Sequence, residues 1–577
     1  MPAPSTQWVT RLHARIAGLG RTAPSFVSQP EPRSIGHFAK GRQLVAGNYL
    51  FAGYLIEAGR GTSIWSLSPP APTFTEEVHG FVWLDDLAAV GDAEARVLAQ
   101  DWTFEWIKHY GGGRGPGWSP DLTGRRLIRC INHAFFLLSG RGDASPDFFR
   151  ALGRQTRFLA RRWSSATPGL PRIEALTGLI YAGISLTTME RHVPRAIAAL
   201  GRACEVQIDH EGALATRNPE ELLEIFTLLN WAALTLREAG HTPAPAHEAA
   251  IQRVAPVLRT LRHADGGLAR FHGGGRGLDG RLDAALATSG VKAEATLDEA
   301  MGFARLGAGR TTVIMDASRP PEGKASHNAH ASTLAFELTS GRRPLIVSCG
   351  SGAAFGEEWR RAGRATPSHS TLSLDGYSSS RLGEKTFMSG RARELLADTP
   401  RDVSAERRST DFAIRQQISH DGWRRTHGLV HVRTLELTHD GRGMAGEDLL
   451  VALNAKDQAR FDKRLDESGL QGIDFMIRFH LHPDVDARED MGGAAVSLAL
   501  KSGEIWVFRH DAHARLSIEP SVYLERGRLK PRGAEQIVLT GRALGETTRV
   551  RWSLAKAQET PLSVRDLRRD DPLDFED

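Results

Sequence analysis

Two hydrophobic periods divide the chain. From about residue 80 to residue 305, apolar side chains return every three or four positions, the spacing that lines one face of a helix. Leu222, Ile225, Phe226, Leu229, Trp231, Ala232 and Leu236 form the cleanest such stripe, and others run through 102–107, 128–138, 158–163 and 173–186. Segments rich in glycine and proline, GGGRGPGWSP and SSATPGLP among them, separate the stripes, so this half predicts a series of helical hairpins. After residue 305 the period falls to two. Leu334, Phe336 and Leu338 alternate with small or polar residues, 343–348 form a compact apolar strand, and Val496, Leu498, Leu500 and Ile505, Val507 flank a Ser502-Gly503 turn as a hairpin would. Many short strands punctuated by turns predict a large antiparallel β-sandwich.

The expected fold class is therefore multidomain α+β: a lead-in over 1–79, a helical domain over 80–305, a sandwich over 306–562, and a charged, solvated tail over 563–577, VRDLRRDDPLDFED with the residue before it. Within the lead-in, Trp8, Leu12, Ile16 and Leu19 recur at helical spacing and predict an amphipathic helix.

Length agrees with this division, because 577 residues exceed what a single core organises. With 41% hydrophobic and 24% charged residues the chain is neither disordered nor collagen-like. No apolar run approaches the ~18 residues that span a bilayer. The first residues lack the continuous apolar core and small-residue cleavage site of a secretory signal, so the cytoplasm is the expected location. Three cysteines at 130, 204 and 349 lie too far apart to suggest a disulfide framework, and a reducing compartment fits. The net charge is only +5 and the arginines are dispersed, with no basic helix or zinc finger, so no nucleic-acid partner is expected. Arginine forks do suit an anionic polymer, although dispersal also fits a compositional bias. Oligomeric state stays open, a homo-oligomer included.

The densest polar cluster, Ser326-His327-Asn328-Ala329-His330-Ala331-Ser332, leads into a strand; Cys349-Gly350 ends the next, and Pro367-Ser368-His369-Ser370-Thr371 precedes another. If these strands are neighbours, His330, Cys349 and His369 meet at one end of the sheet, and two imidazoles with a thiolate suit zinc. Spacing alone leaves a second reading open, in which Cys349 is a small buried hydrophobe and the histidines bond loop backbone. Trp83, Trp102, Trp106 and Trp118 sit at helical spacing, which favours core over sugar stacking. His480 and His482 share a strand face and read as polar packing, while EEWRRAGR reads as a solvated face. The glycine-rich stretch 266–280 lacks the Gly-Lys-Ser/Thr ending of a phosphate loop and reads as an ordinary loop, whose Arg270 and His272 are candidate substrate-binding residues of a cleft.

The stretch HNAHASTLAFELTSGRRPLIVSCGSG, followed by WRRAGRATPSHSTLSLDGYSSSR, resembles the start of the C-terminal domain of the heparinase II/III family of polysaccharide lyases. That family carries a histidine-rich run before a strand, a strand ending in Asp-Pro-Gly, and a segment with an Ala-His-Asn-Thr core. GWRRTHGLVHVRTLELTHDG, IRFHLHPDV and GEIWVFRHDAHARLSIEPSVY are similar to the rest of its sandwich, and GNYLFAGYLIEAG and HGFVWLDDLAAVG to the beginning of its helical domain. The resemblance covers residues from about 47 to 555.

It implies an incomplete (α/α) toroid of helical hairpins packed on the sandwich, and a cleft for an acidic polysaccharide or oligosaccharide. It also implies β-elimination beside a uronic acid. That chemistry needs a group that neutralises the carboxylate, a base for the C5 proton and an acid for the departing O4. Carried over residue by residue, the family's tyrosine falls on Glu221, in EGALATRNPEEL, and its helical-domain asparagine falls near Pro168–Arg172, where none occurs. His330 and His369 match family histidines, the former at the metal-binding position. Cys349 stands near the Asp-Pro-Gly carboxylate, and the catalytic histidine two residues before His330 is Asn328, with His327 beside it. The resemblance thus implies His327, Asn328, Glu221 and Arg217 as catalytic residues and His330, Cys349 and His369 as zinc ligands. The substitutions also allow a catalytically degenerate glycan-binding or structural relative, and the periplasm as a family-based alternative location.

Overall fold

A computed structural model describes residues 4–559 except 21–22, 141–144, 293–295, 375 and 389–390. The charged tail expected at 563–577 lies outside the described residues.

The helical period becomes the helices Ala93–Tyr110, Pro120–Asn132, Ser145–Arg162, Leu170–Ser185, Val193–Gln207, Pro219–Glu238, Pro245–Thr260 and Arg281–Ser289. Proline occupies the first turn at Pro120, Pro171, Pro194, Pro219 and Pro245, where its fixed φ suits the helix and its missing N–H costs nothing. Leu170–Ser185 is the hub: it is buried from Ile173 to Ser185 and packs on Pro120–Asn132, Val193–Gln207 and Pro219–Glu238. Its contact with Pro120–Asn132 runs backbone to backbone, since a Cβ on Gly178 would lie 2.4 Å from the Gly124 Cα. The pairs build an incomplete (α/α) toroid. Trp83, Trp102, Trp106 and Trp118 are core residues, as their spacing predicts.

The lead-in is not a separate body. Ala14, Leu44, Tyr49 and Phe74 belong to the same hydrophobic core as Leu176 and Leu229. The change from helix to strand also comes earlier than residue 305, between Ser289 and Glu299.

Two antiparallel sheets form the sandwich. The first runs in the order Arg515–Tyr523, Arg532–Ala543, Ile473–Leu481, Arg343–Val347, Phe336–Ser340, Thr311–Asp316, Phe303–Ala308, Glu299–Ala300, with Leu372–Leu374 also paired to Ile473–Leu481. The second runs Val403–Ser409, Ala413–Trp423, Leu429–Thr438, Gly443–Val451, Thr547–Gln558, Ile505–His510, Ala495–Leu500, Val485–Asp490. Val313, Phe336, Phe479, Phe508 and Trp552 fill the space between them. The hairpin around Ser502-Gly503 forms, but its second strand faces the other way: Trp506 and Phe508 are buried opposite Leu498 and Val496, and Ile505 and Val507 are half-exposed. The two large aromatics bury more apolar surface than the aliphatic pair would.

Candidate active site

The polar cluster at the head of the sandwich is a short helical turn, Gly323–Asn328, and two arginines shape it. Arg364 donates to the carbonyls of Ser326 (2.9 Å), Ala329 (2.8 Å) and Glu394 (2.8 Å), and Arg360 donates to the carbonyl of His327 at 2.7 Å with the Asn328 Oδ1 at 3.5 Å. Both arginines are buried, which corrects the reading of EEWRRAGR as a solvated face. A guanidinium offers several N–H donors in a rigid fork, so one side chain can satisfy several turn carbonyls with charge-assisted bonds. His327 and Asn328 are left half-buried at the rim. Burial, then the neighbouring arginines led by Arg393, lowers the His327 pKa to about 4, so its imidazole is neutral at pH 7.

On the toroid side, Asn218 caps Pro219–Glu238 by accepting from the Glu220 and Glu221 amides. The Glu221 carboxylate accepts from the Thr216 hydroxyl at 2.7 Å, yet burial dominates and raises its pKa. The Gly273-Gly274 turn joins the two sides. A Cβ on Gly274 would lie 2.5 Å from the Asn218 Oδ1, and one on Gly273 would lie 2.9 Å from the Asn328 Cβ. The Glu221 helix end and the His327 turn therefore flank one junction between toroid and sandwich.

Three expected site residues instead hold the domains together. Arg217, in the left-handed region at φ 49°, is buried and donates to the carbonyls of Met301, Gly302, Ser318 and Arg319 and to Asp316 Oδ1 at 2.7 Å. Every N–H of its fork points into the interior, so it does not hold a substrate carboxylate. Arg270 lies over the Tyr523 ring at 4.0 Å and donates to the carbonyls of Ser348, Cys349 and Leu524. His272 is buried, accepts from the His330 amide at 3.2 Å and faces Asp316 Oδ2 at 3.3 Å. Neither lines an open cleft. Asp316 organises this knot: burial would raise its pKa, but Arg217 and then His272 outweigh burial and hold it below the usual carboxylate range.

His330 and His369 do come together, with ring centroids 5.1 Å apart. Cys349 does not join them. Its Sγ sits 3.6 Å from His480 Nδ1 and 3.9 Å from the Ser521 hydroxyl, while His369 Nδ1 pairs with the Ser348 hydroxyl at 3.1 Å. Among the described residues no group of three or more His, Cys, Asp or Glu side chains is disposed to hold a metal ion. The zinc set His330, Cys349 and His369 thus does not fit, because the strand that ends at Cys349 turns the thiol toward Ile473–Leu481 rather than toward the histidines. Burial instead keeps both rings neutral, lowering His369 to about 3 and His330 well below its ordinary value. His480 and His482 are packing groups, His480 donating through Nε2 to the Pro367 carbonyl at 2.8 Å. A cavity of about 750 Å3 lies away from all of these groups, against the helix Ala93–Tyr110.

Sequence reasoning missed Asp316, Arg360, Arg364 and Asn218. Only Asn218 carried a local signal, an asparagine directly before Pro219 at a helix start.

Comparison with known proteins agrees with this architecture. Residues 292–553 match the family model described as "Heparinase II/III-like, C-terminal". The chain is 32% identical over 543 residues to the FtsZ-localized protein C of Caulobacter vibrioides (strain NA1000 / CB15N), covering 92% of this chain and 89% of that one. Among solved structures it is similar to heparinase III, with a TM-score of 0.68 at 13% identity over 95% of this chain and 89% of that chain. It is also similar to a mutant of the heparan sulfate lyase HepC from Pedobacter heparinus, with a TM-score of 0.58 at 14% identity over 96% and 89% of the two chains. Toroid, sandwich and sequence match together place the chain in the heparinase II/III-like family.

Proposed function

We propose that the chain binds a uronic-acid-containing glycan at the junction of toroid and sandwich and cleaves it by β-elimination. The observation that carries this reading is the turn Gly323–Asn328, where buried arginines fix the backbone and leave His327 and Asn328 half-buried across the Gly273-Gly274 turn from the Glu221 helix end. In this reading the Asn328 amide, with Arg360 beside it, binds the uronate carboxylate and stabilises the charge that develops when C5 loses its proton. His327, neutral at pH 7, takes that proton; the electron pair forms the C4=C5 double bond and the C4–O4 bond breaks. Glu221, whose raised pKa increases its protonated share, returns a proton to O4. If the chain resides in the cytoplasm, imported fragments or biosynthetic precursors are the substrates it meets. The test is incubation with a panel of uronic-acid polysaccharides and oligosaccharides, following the ultraviolet absorbance of the unsaturated product. His327→Ala and Glu221→Gln should each slow its appearance by on the order of 100-fold or more.

A second reading, a glycan-binding relative without turnover, is favoured by a specific observation. Arg217, Arg270, His272, His330 and His369 are all buried at the junction, and the position matching the family's tyrosine carries Glu221. Absence of product across the whole panel, with glycan binding retained in calorimetry, would establish that reading instead.

A further inference from the structure

The helix Pro4–Ile16 is packed inside out. Its inward face is small and polar: Ala14 and Ala17 are buried, Thr10 accepts from Arg162 at 3.2 Å, and the Ala17 carbonyl accepts from Arg157 at 2.7 Å, both arginines lying on the helix Ser145–Arg162. Its large apolar residues point to solvent. Trp8 is 65% exposed, Leu12 39%, Ile16 38% and Leu19, on the turn that follows, 86%. At ~100° per residue these four share one side, and Arg11 and Arg15 lie on the same side. A surface helix normally buries its large apolar side chains because that gains ~25 cal/mol per Å2. Here the orientation is instead enforced by the arginine contacts and by the close approach of Gly113, whose Cβ would sit 2.7 Å from the Ala14 backbone.

The surroundings are basic. From Pro4 to Pro30 the sequence contains no aspartate or glutamate, and the helix has no acidic residue in its first turn and His13 and Arg15 in its last. Arg161 and Arg162 act on His13, lowering its pKa after burial does, and the exposed Arg161, Arg191 and Arg195 act in the same way on His192. The apolar stripe thus carries the exposed Arg11 and Arg15 of its own helix, with the exposed Arg161 near the His13 flank. A tryptophan and three aliphatic side chains rimmed by arginine match the boundary between lipid headgroups and acyl chains, where the apolar groups insert and the cations meet anionic phosphates. No helix of the described residues is long and apolar enough to cross a membrane, so this face would lie on the bilayer rather than span it.

We propose that the Trp8/Leu12/Ile16/Leu19 face docks the protein onto an anionic lipid surface. The assignment is independent of the proposed lyase chemistry. It is tested with the full chain by co-sedimentation with vesicles of phosphatidylcholine containing about one-third phosphatidylglycerol, beside vesicles of phosphatidylcholine alone, with sedimentation velocity of the protein in the absence of lipid. Wild type should pellet with the anionic vesicles and be released by about 0.5 M salt, because screening weakens the arginine contribution. The double variants Trp8→Ser/Leu12→Ser and Arg11→Gln/Arg15→Gln should each reduce the bound fraction about tenfold or more with an unchanged thermal midpoint, since these side chains face outward. Failure of wild type to pellet, equal pelleting with neutral vesicles, or undiminished binding by both variants would overturn the proposal. So would a dimer in solution that the apolar double variant dissociates, which would assign the face to a second copy of the chain.

Discussion

Arg217 and Asp316 show how much one residue pair decides. Both are buried, they meet at 2.7 Å, and they join the last turn before the helix Pro219–Glu238 to the strand Thr311–Asp316. Removing one member of a buried pair leaves the other charge without compensation, so Arg217→Met should destabilise the protein by about 3–5 kcal/mol in urea unfolding. The pH dependence follows from the directions of the shifts. Asp316 has a folded pKa below its ordinary 3.8, so its contribution is complete above that value and is lost as pH falls below it. His369 is a base with a folded pKa lowered from 6.5 to about 3; between those values the unfolded chain binds the extra proton and stability falls as pH drops. The unfolding free energy of the wild type should therefore begin to fall as pH drops below about 6.5, before the carboxylates titrate, and His369→Gln should flatten that slope.

At the scale of elements, the crossing of Pro120–Asn132 and Leu170–Ser185 depends on Gly124 and Gly178, which allow the backbones to touch. A methyl group at residue 178 would have to enter the space of the Gly124 Cα, and neither helix can shift without disturbing the hub. Gly178→Ala should cost about 1–3 kcal/mol and lower the thermal midpoint, although alanine is the better helix former. The short helix Glu357–Ala362 has the opposite role, contributing little core and carrying Arg360 toward the turn Gly323–Asn328, with Arg364 just beyond its end. Arg364→Lys keeps the charge but cannot reach three carbonyls with one ammonium. It should slow any glycan turnover or weaken glycan binding while leaving global stability within about 1–3 kcal/mol of wild type.

In the whole molecule, the toroid and sandwich are bound by charged side chains that cross between them. Arg217 reaches Asp316, the Arg270 amide meets Glu337 at 3.0 Å while its guanidinium reaches the carbonyls of Ser348, Cys349 and Leu524, and Arg526 meets Glu220 at 3.1 Å. The hydrophobic core of the toroid also extends to Phe303, Ile314 and Ala335 of the sandwich. With so many buried groups shared, the two domains should unfold in one calorimetric transition. Arg270→Ala, which removes the donor shared by the buried Ser348 and Leu524 carbonyls while Cys349 keeps the Leu524 amide, should split that transition in two.

Hydrophobic periodicity alone was enough to read the order of a helical half and a β half, though not the toroid, because periods of 3.6 and 2 are local consequences of backbone geometry: Leu222 to Leu236 lie on the inner face of a helix, and the turn at Ser502-Gly503 joins two strands. Family resemblance, carried by short motifs in sequence order, was legible for the same reason. What each arginine and histidine does was not, because that depends on partners far away in the chain. Arg217 finds its partner 99 residues on and the Arg270 fork reaches Leu524, 254 residues on. Cys349 lies near His369 in sequence, yet sheet order places Ile473–Leu481 beside its strand and gives the thiol to His480. Trp8, Leu12, Ile16 and Leu19 advertised an amphipathic helix in the sequence, and a helical pattern fixes which side chains share a face. Only the packing of Ala14 and Ala17 against Ser145–Arg162 decided that the apolar face looks outward, because which face turns inward is set by the surface the helix meets.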